Sequence, residues 1–320
     1  MADVKILIQA GSKIFYPIVT GGAKITWERK CTPGKLTFNL IKDNVISFQE
    51  GNPVKVLVDD APIFYGFVFT KKRNKDGTIS VTAYDQLRYL NNKDTFKEKG
   101  LTASTLIKRL AADFQLNLGT VEDTGYIIGT IKEENQMLFD MIQNALDTTL
   151  LNTGKLFVLF DDVGKLTLKN INSMKVPILI DEETAENYDY ESSIDSGTFN
   201  KVKLSFNNEK TGKRDLYVVQ DSGKMAQWGV LQYFEEIQTD IGAAAKAQSL
   251  LKLYNQKTRR LIIKNAFGDV RVKAGCAIAI SLNLGDIIAN TFMVVEKVTH
   301  TFKGDQHMMD VTVIGGEFVA

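Results

Sequence analysis

One short strand plan occurs twice in this chain, from Pro53 to Tyr84 and again from Gly275 to Ile314. Each copy reads as an alternating strand, a turn rich in Asp or Asn, a second long strand, a Gly-Asp or Asp-Gly turn, and a third strand. In the first copy Val54, Val56 and Val58 alternate with Lys55, Leu57 and Asp59; in the second Cys276, Ile278, Ile280 and Leu282 alternate with Ala277, Ala279 and Ser281. Such period-two alternation marks strands with one face on a core. The third strands are closest in sequence: Ile79-Ser80-Val81-Thr82-Ala83 stands against Met309-Asp310-Val311-Thr312-Val313, each after a turn at Asp76-Gly77 or Gly304-Asp305. Two copies fall short of a solenoid or propeller array. They suggest an architecture built by duplication.

Around these copies the pattern predicts three domains. Residues 1–95 read as nearly all β, with short strands at Ile6 to Ile8, Ile14 to Val19, Ile25 to Arg29 and Leu36 to Leu40, separated by Gly11-Ser12, Gly21-Gly22 and Pro33-Gly34. Many short strands in a small space argue for a barrel or sandwich. Near Lys93 the run NNKDTFKEKG reads as a polar linker, and residues 96–176 as a small α/β domain. Its first helix puts Leu106, Ile107, Leu110, Ala111 and Phe114 on one face, with Thr102 or Ser104 as N-cap. Its second follows Asn135 with the stripe Met137, Leu138, Met141, Ile142, Ala145, Leu146 and Leu150, before a hairpin from Lys155 to Lys169. Residues 177–320 return to β, with strands near Ile178, Tyr188 to Ser193, Val202 to Phe206 and Leu216 to Val219. One helix interrupts them, capped by Asp240 and burying Ala243, Ala247, Leu250, Leu251 and Tyr254.

The chain's 44% hydrophobic and 24% charged residues suit a globular protein able to bury sizeable cores, and its formal net charge of +1 gives no whole-molecule attraction to nucleic acid. No segment approaches the roughly 20 apolar residues that span a bilayer. The start MADVKILIQAG alternates like a strand and lacks the long apolar run of a signal peptide. Cys31 and Cys276 read as buried thiols of a chain folded in a reducing cytoplasm.

The search for chemistry returns little: no phosphate-binding glycine loop, dinucleotide fingerprint, nucleophile elbow, zincin helix or paired CxxC. His300 and His307 are candidates to face each other across a hairpin and hold a metal with Asp305 or Asp310, but a structural site takes four ligands. The plainer expectation is one His on a half-exposed strand face and one in a solvated turn. Carboxylate pairs stand at Asp59-Asp60, Asp161-Asp162, Glu182-Glu183 and Glu235-Glu236. The first two sit where strands reverse, so turn chemistry outweighs a glycosidase-like pair. The run Lys71-Lys72-Arg73-Asn74-Lys75 has no interleaved aromatics and reads as a solvated hairpin tip. Ile63, Phe64, Tyr65, Phe67 and Phe69 put large apolar groups on both faces of one strand, which calls either for cover by another element or for a subunit contact.

At that strand the chain resembles a family. Ile63 to Asn92, IFYGFVFTKKRNKDGTISVTAYDQLRYLNN, is similar to the hairpin and following strand of the XkdQ/YqbQ-type phage tail proteins, relatives of late control protein D and of the contractile-tail baseplate hub. Phe64, Gly66 and Val68, and the Thr-Ala-Tyr-Asp-x-Leu-x-Tyr-Leu element from Thr82 to Leu90, carry most of the likeness. Trp228-Gly229, the helix Ala243 to Tyr254, Gly268 to Gly275 and Val295 to Val298 extend it over nearly the whole chain. The resemblance implies two tail-tube-like β-barrel domains separated by a small α/β domain, and a homotrimer whose six barrels join the sixfold tube to the threefold spike. It implies contacts with a tail-tube or tube-initiator protein, the central spike and other baseplate proteins of wedge or LysM type, with no membrane, no sequence-specific nucleic acid, no cofactor and no catalytic residues. Assembly in the host cytoplasm and a final place in a virion or a tail-like bacteriocin particle follow from it.

Candidate contact residues under this reading are Asp43, Asn44, Phe48, Gln49, Phe64, Phe67, Phe69, Lys71, Lys72, Arg73 and Lys75, within or beside the loops Asp43 to Asn52 and Lys71 to Gly77. The alternatives are a tail-associated cell-wall hydrolase using Asp161-Asp162 and a carbohydrate-binding β module.

Overall fold

The computed structural model describes residues 3–30, 32–43, 45–195, 197–208, 212–237, 240, 242–285 and 288–314. The chain forms two compact units: Met1–Leu150, Lys155–Asp189 and Leu261–Ala320 make the first, Leu151–Gly154 and Tyr190–Arg260 the second.

The first unit opens with β1 (Val4–Ala10), β2 (Lys13–Phe15), β3 (Val19–Glu28), β4 (Lys35–Ile41), β5 (Pro53–Val58), β6 (Ala61–Arg73) and β7 (Thr78–Tyr84). They pair antiparallel in the order β2-β1-β5-β6-β7-β4-β3. The alternation read in the sequence is the burial pattern: Val54, Val56 and Val58, Leu36, Phe38 and Leu40, and Ile79, Val81 and Ala83 all turn inward. Between β5 and β6, Asp59 and Asp60 adopt φ of 50° and 63°. That is the left-handed backbone of a two-residue hairpin, which Asp tolerates better than most residues. The Asp59 carboxylate accepts the Asp3 N–H at 2.9 Å and Asp60 accepts the Lys5 ammonium at 2.7 Å, so this carboxylate pair is turn chemistry.

A 3-10 turn, Gln86–Asn91, leads to β8 (Lys93–Leu101), α1 (Ala103–Asp113), β9 (Leu118–Val121), β10 (Ile128–Met137), α2 (Leu138–Thr153), β11 (Phe157–Asp161) and β12 (Leu166–Asn170). The run read as a polar linker is therefore a strand, paired antiparallel with β10 from Leu101↔Ile128 to Lys93↔Met137. Few apolar residues of this ribbon turn inward, mainly Phe96, Leu101, Ile128 and Ile131, so its alternation is thin. Met137 belongs to β10 and is exposed, and α2 starts one residue later. Thr102 caps α1 by accepting the Thr105 N–H at 3.2 Å. Leu106, Leu110, Leu138, Met141 and Leu168 share a core with Leu87 and Leu90 of the 3-10 turn.

Two strands follow, β13 (Lys175–Asp181) and β14 (Asn187–Ser193), and the main segment of the second unit begins within β14. That unit holds β15 (Lys201–Asn208), β16 (Lys213–Gln220), α3 (Ser222–Trp228), β17 (Gln232–Ile237) and α4 (Ala243–Tyr254). β15 pairs antiparallel with β16 and parallel with β17, and Ala243, Ala247 and Leu250 of α4 pack on Val202, Leu204 and Ile237. Gly242, left-handed at φ 74°, takes the N-cap position of α4 that was expected of the Asp240 side chain. Asp240 instead offers its backbone carbonyl to the Ala243 N–H at 3.0 Å.

The chain returns along β18 (Thr258–Phe267), followed by β19 (Ala277–Asn283), β20 (Ile288–Lys303) and β21 (Gln306–Ile314). Thus β5-β6-β7 and β19-β20-β21 are the two copies of the strand plan, each a meander around one long strand. They lie in one 13-stranded sheet whose main path, β14-β18-β21-β20-β3-β4-β7-β6-β5-β1-β2, is open at both ends. The copies join where β20 pairs antiparallel with β3. Their flanks differ: β1 runs antiparallel to β5, while β13 runs parallel to β19. Among the described residues no helix is long and apolar enough to cross a membrane.

Candidate assembly surface

The two sequence elements that carry the family resemblance meet in space. Phe64 and Val68 of β6 turn into the core, and Gly66 between them lies against β7, where an added Cβ would stand 2.3 Å from the Tyr84 carbonyl oxygen. Tyr84 ends β7, and Asp85 follows as a buried cap. One carboxylate oxygen accepts the Gly34 N–H at 2.8 Å and the other the Leu87 N–H at 3.1 Å. Burial pushes the Asp85 carboxyl well above the usual carboxylate range, and nearby Asp161 adds to the effect. Leu87 and Leu90 then enter the neighbouring core, while Tyr89 reaches back over β6. The element from Thr82 to Leu90 is thus a strand-to-turn connector fixed by a buried carboxylate.

Tyr89 supplies the cover that the two-faced apolar strand demanded. Its ring centroid is 6.2 Å from Phe67 and 6.0 Å from Phe69, Phe69 packs edge-on to Tyr84, and the Arg88 guanidinium lies 5.5 Å from the Phe69 ring. Phe67 and Phe69 stay half-buried, whereas Phe64 and Phe48 are interior. The Asp43 carboxylate accepts the Val45 and Ile46 N–H groups and shapes its own loop, and Gln49 is exposed beside it. Asn44 lies outside the described residues. Lys71 folds inward, its ammonium donating to the Phe48 carbonyl and standing 4.0 Å over the Phe48 ring. Lys72, Arg73 and Lys75 are exposed. Of the surface members of the set, Phe67, Phe69, Lys72 and Arg73 lie along the outer half of β6, and Asp43, Gln49 and Lys75 lie outside it.

The joint between the copies was not legible in the sequence. Lys297↔Glu28, Val298↔Trp27, Thr299↔Thr26 and His300↔Ile25 are its register, and the Arg29 N–H adds a bond to the Glu296 carbonyl at 2.9 Å. The Thr26 and Thr299 hydroxyls meet at 3.1 Å, Lys297 pairs with Glu28 at 2.5 Å, and Arg29 Nε with Glu296 at 2.6 Å. A polar groove of about 540 Å³ lies over it, with Glu28, Lys35, Tyr84, Arg88 and Lys297 among its walls. The Arg29 side chain is 8% exposed. Arg29→Ala removes the buried partner of the partly exposed Glu296, and an expected loss of about 2 kcal/mol in denaturant unfolding checks it. No sequence signal pairs residues this far apart.

Other carboxylates also make structural contacts. Asp161 is buried, accepts the Gly164 N–H at 2.7 Å, and is pushed up to about 6 by burial, while its neighbour Asp162 faces Lys273 at 3.1 Å. In β17, Glu235 pairs with Lys246 at 2.6 Å, and Glu236 accepts from Asn207. A carboxyl raised in the folded state adds stability below its unfolded pKa of about 4, and that contribution is lost as pH rises through its folded value. Asp161→Asn should thus match the parent in thermal melts near pH 4 and exceed it by several degrees above pH 6; an equal difference at both would refute the assignment.

His300 is buried, which corrects the expectation of a half-exposed face. Its Nε2 lies 2.8 Å from the Val272 carbonyl and its Nδ1 2.8 Å from His307 Nε2. The carbonyl must accept, so His300 carries its proton on Nε2 and accepts from His307 through Nδ1. Burial lowers His300 to about 4. No metal-holding cluster occurs among the described residues. Cys276 is buried and free; Cys31 lies outside the described residues.

A family model described as YQBQ-like matches residues 23–314. The uncharacterized protein YqbQ of Bacillus subtilis (strain 168) is 30% identical over 307 residues, spanning 93% of this chain and 92% of YqbQ. The phage-like element PBSX protein XkdQ of the same organism is 30% identical over 274 residues, spanning 84% and 82%. Among solved structures, the 43 kDa tail protein of prophage MuSo2 from Shewanella oneidensis aligns over 99% of this chain and 100% of its own, with TM-score 0.72 and 14% identity. The E. coli c3393 protein, a type VI secretion component with structural similarity to the T4 tail proteins gp27 and gp5, aligns over 98% of this chain and 78% of its own, with TM-score 0.57 and 10% identity.

Proposed function

From its place in the YqbQ-like family, to which this chain belongs, we propose that it is a structural protein of a phage-type tail, and within that tail the baseplate hub. Three chains form a ring that matches the sixfold tube on one face and the threefold spike on the other. The observation that carries this reading is the duplicated meander: both copies of the plan lie in one sheet, joined edge to edge by β3 and β20. A protein that offers two similar modules per chain turns threefold symmetry into quasi-sixfold symmetry, since closed rings need repeated complementary patches. The name of the relative XkdQ, a protein of a phage-like element, and the fold likeness to a prophage tail protein support the setting.

Under this proposal residues 1–95 and 177–320 are the tail-tube-like barrel modules and residues 96–176 the small module between them. The larger segment of the second compact unit, Tyr190–Arg260, runs from within β14 to the start of β18 of the second barrel module. The protein works mechanically, without a catalytic step. Its partners are two further copies, the tube or tube initiator, the spike, and wedge or LysM-type baseplate proteins; it assembles in the host cytoplasm and ends in the particle. Native mass and negative-stain images of the purified chain, with and without a co-expressed spike protein, test it. A threefold ring with a central channel is expected, and a monomer in both samples overturns the hub.

A further inference from the structure

We propose that the outer half of β6, Phe69 to Arg73, receives β14 of a second copy of this chain, repeating between chains the joint that β20 and β3 make within one. This rests on the ring reading above and adds the edges by which the ring closes.

Internal equivalence carries it. In the first copy the Val68 N–H donates to the Asn52 carbonyl at 2.9 Å and the Gly51 N–H to the Val68 carbonyl at 2.7 Å. In the second the Val295 N–H donates to the Cys276 carbonyl at 2.8 Å and the Gly275 N–H to the Val295 carbonyl at 2.7 Å. Directly afterwards both long strands skip one residue against their third strands, from Val68↔Ala83 to Thr70↔Thr82 and from Val295↔Val313 to Lys297↔Thr312. Phe69 to Arg73 therefore correspond to Glu296 to His300. Those second-copy residues are the ones that bind β3. Along β6 beyond Val68 the same edge meets no strand among the described residues.

The strand that belongs on it is also identified by equivalence. β3 precedes β4, which pairs with β7; β14 precedes β18, which pairs with β21. The ends of β4 and β18 match as well, since the Lys42 N–H meets the Gly77 carbonyl and the Gly268 N–H the His307 carbonyl, both at 2.9 Å. So β14 is the counterpart of β3, and it ends the strand order with its other edge unpaired among the described residues. One chain thus carries both halves of one joint. A head-to-tail contact of this kind closes into a ring when its rotation divides the full turn.

Charge agrees with the pairing. Thr70 and Lys72 face outward from β6, and Asn187, Asp189 and Glu191 face outward from β14. Asp189 is engaged by Lys264 at 2.5 Å, leaving Glu191 for Lys72. At the joint within the chain a lysine of the long strand likewise pairs with a carboxylate of the strand laid against it, Lys297 with Glu28, two positions before Thr299, the counterpart of Lys72. Lysines on an edge also serve to repel unwanted strands, and the experiment separates the two roles.

Cysteines at Lys72 and Glu191, and in a second variant at Lys72 and Asp189, sample the two same-face registers in the full-length chain, with Thr26→Cys/Thr299→Cys as the within-chain control. Oxidation of the purified ring is expected to give inter-chain dimers and trimers on a non-reducing gel in one register, absent from the single variants. Lys72→Glu should shift the ring to monomer without changing the melting temperature, and Lys72→Glu/Glu191→Lys should restore it. A ring seen by native mass that cross-links in neither register and tolerates Lys72→Glu overturns this joint while the hub reading stands. A chain that is monomeric with and without the spike protein overturns both.

Discussion

Gly66→Val is expected to leave no soluble folded protein, and Gly66→Ala to lower the melting temperature more than Gly129→Ala. At Gly66 a Cβ would stand 2.3 Å from the Tyr84 carbonyl oxygen and 3.0 Å from the Asp85 nitrogen. Both are backbone atoms, so no side chain can swing away. Nor is β7 free to retreat, because its other edge is tied to β4 from Lys35↔Tyr84 to Ile41↔Thr78. Overpacking a core typically costs about 1–3 kcal/mol, and here the displaced element also carries the Asp85 cap. The control is Gly129→Ala in β10, where an added Cβ meets nothing within 4 Å and φ is not positive. Equal melts for the two alanine variants would refute the close approach.

Asp85→Ala is expected to cost about 2–4 kcal/mol, since it strands two N–H groups, Gly34 and Leu87, that its carboxylate serves in a buried site. Removing the carboxyl also relieves its burial beside Asp161, which sets the upper limit on the loss. Asp85→Asn keeps one acceptor oxygen but turns an NH2 donor toward the second N–H, so it should recover only part of the stability. Chemical denaturation at neutral pH measures both. An alanine variant as stable as the parent would mean that the buried carboxyl costs as much as its bonds contribute.

These two residues show why part of the site was readable. Gly66 and Asp85 stand in the elements on which the family resemblance was recognised, and each is fixed by local chemistry: a backbone contact that admits no side chain, and a cap at a strand-to-turn junction. Arg29 and Glu296 gave no such sign. They are ordinary charged residues until β3 and β20 pair. Likewise β8 and β10 carry little alternation because their ribbon turns few apolar residues inward, and α4 takes its cap from Gly242 rather than Asp240 because the backbone there turns left-handed.

What the sequence determined by itself was local: the period-two alternation of each meander, the Asp59-Asp60 and Gly304-Asp305 turns, the helix faces, and thereby the duplication. Those signals span a few residues and depend on which faces shed water. The tertiary structure alone decided which edges meet. It placed the two meanders in one sheet through β3 and β20, folded Tyr89 over Phe67 and Phe69, and left the outer halves of β6 and the far edge of β14 without a strand among the described residues. Edge pairing uses backbone N–H and C=O groups that every residue carries, so composition cannot encode it; the relative position of distant strands does.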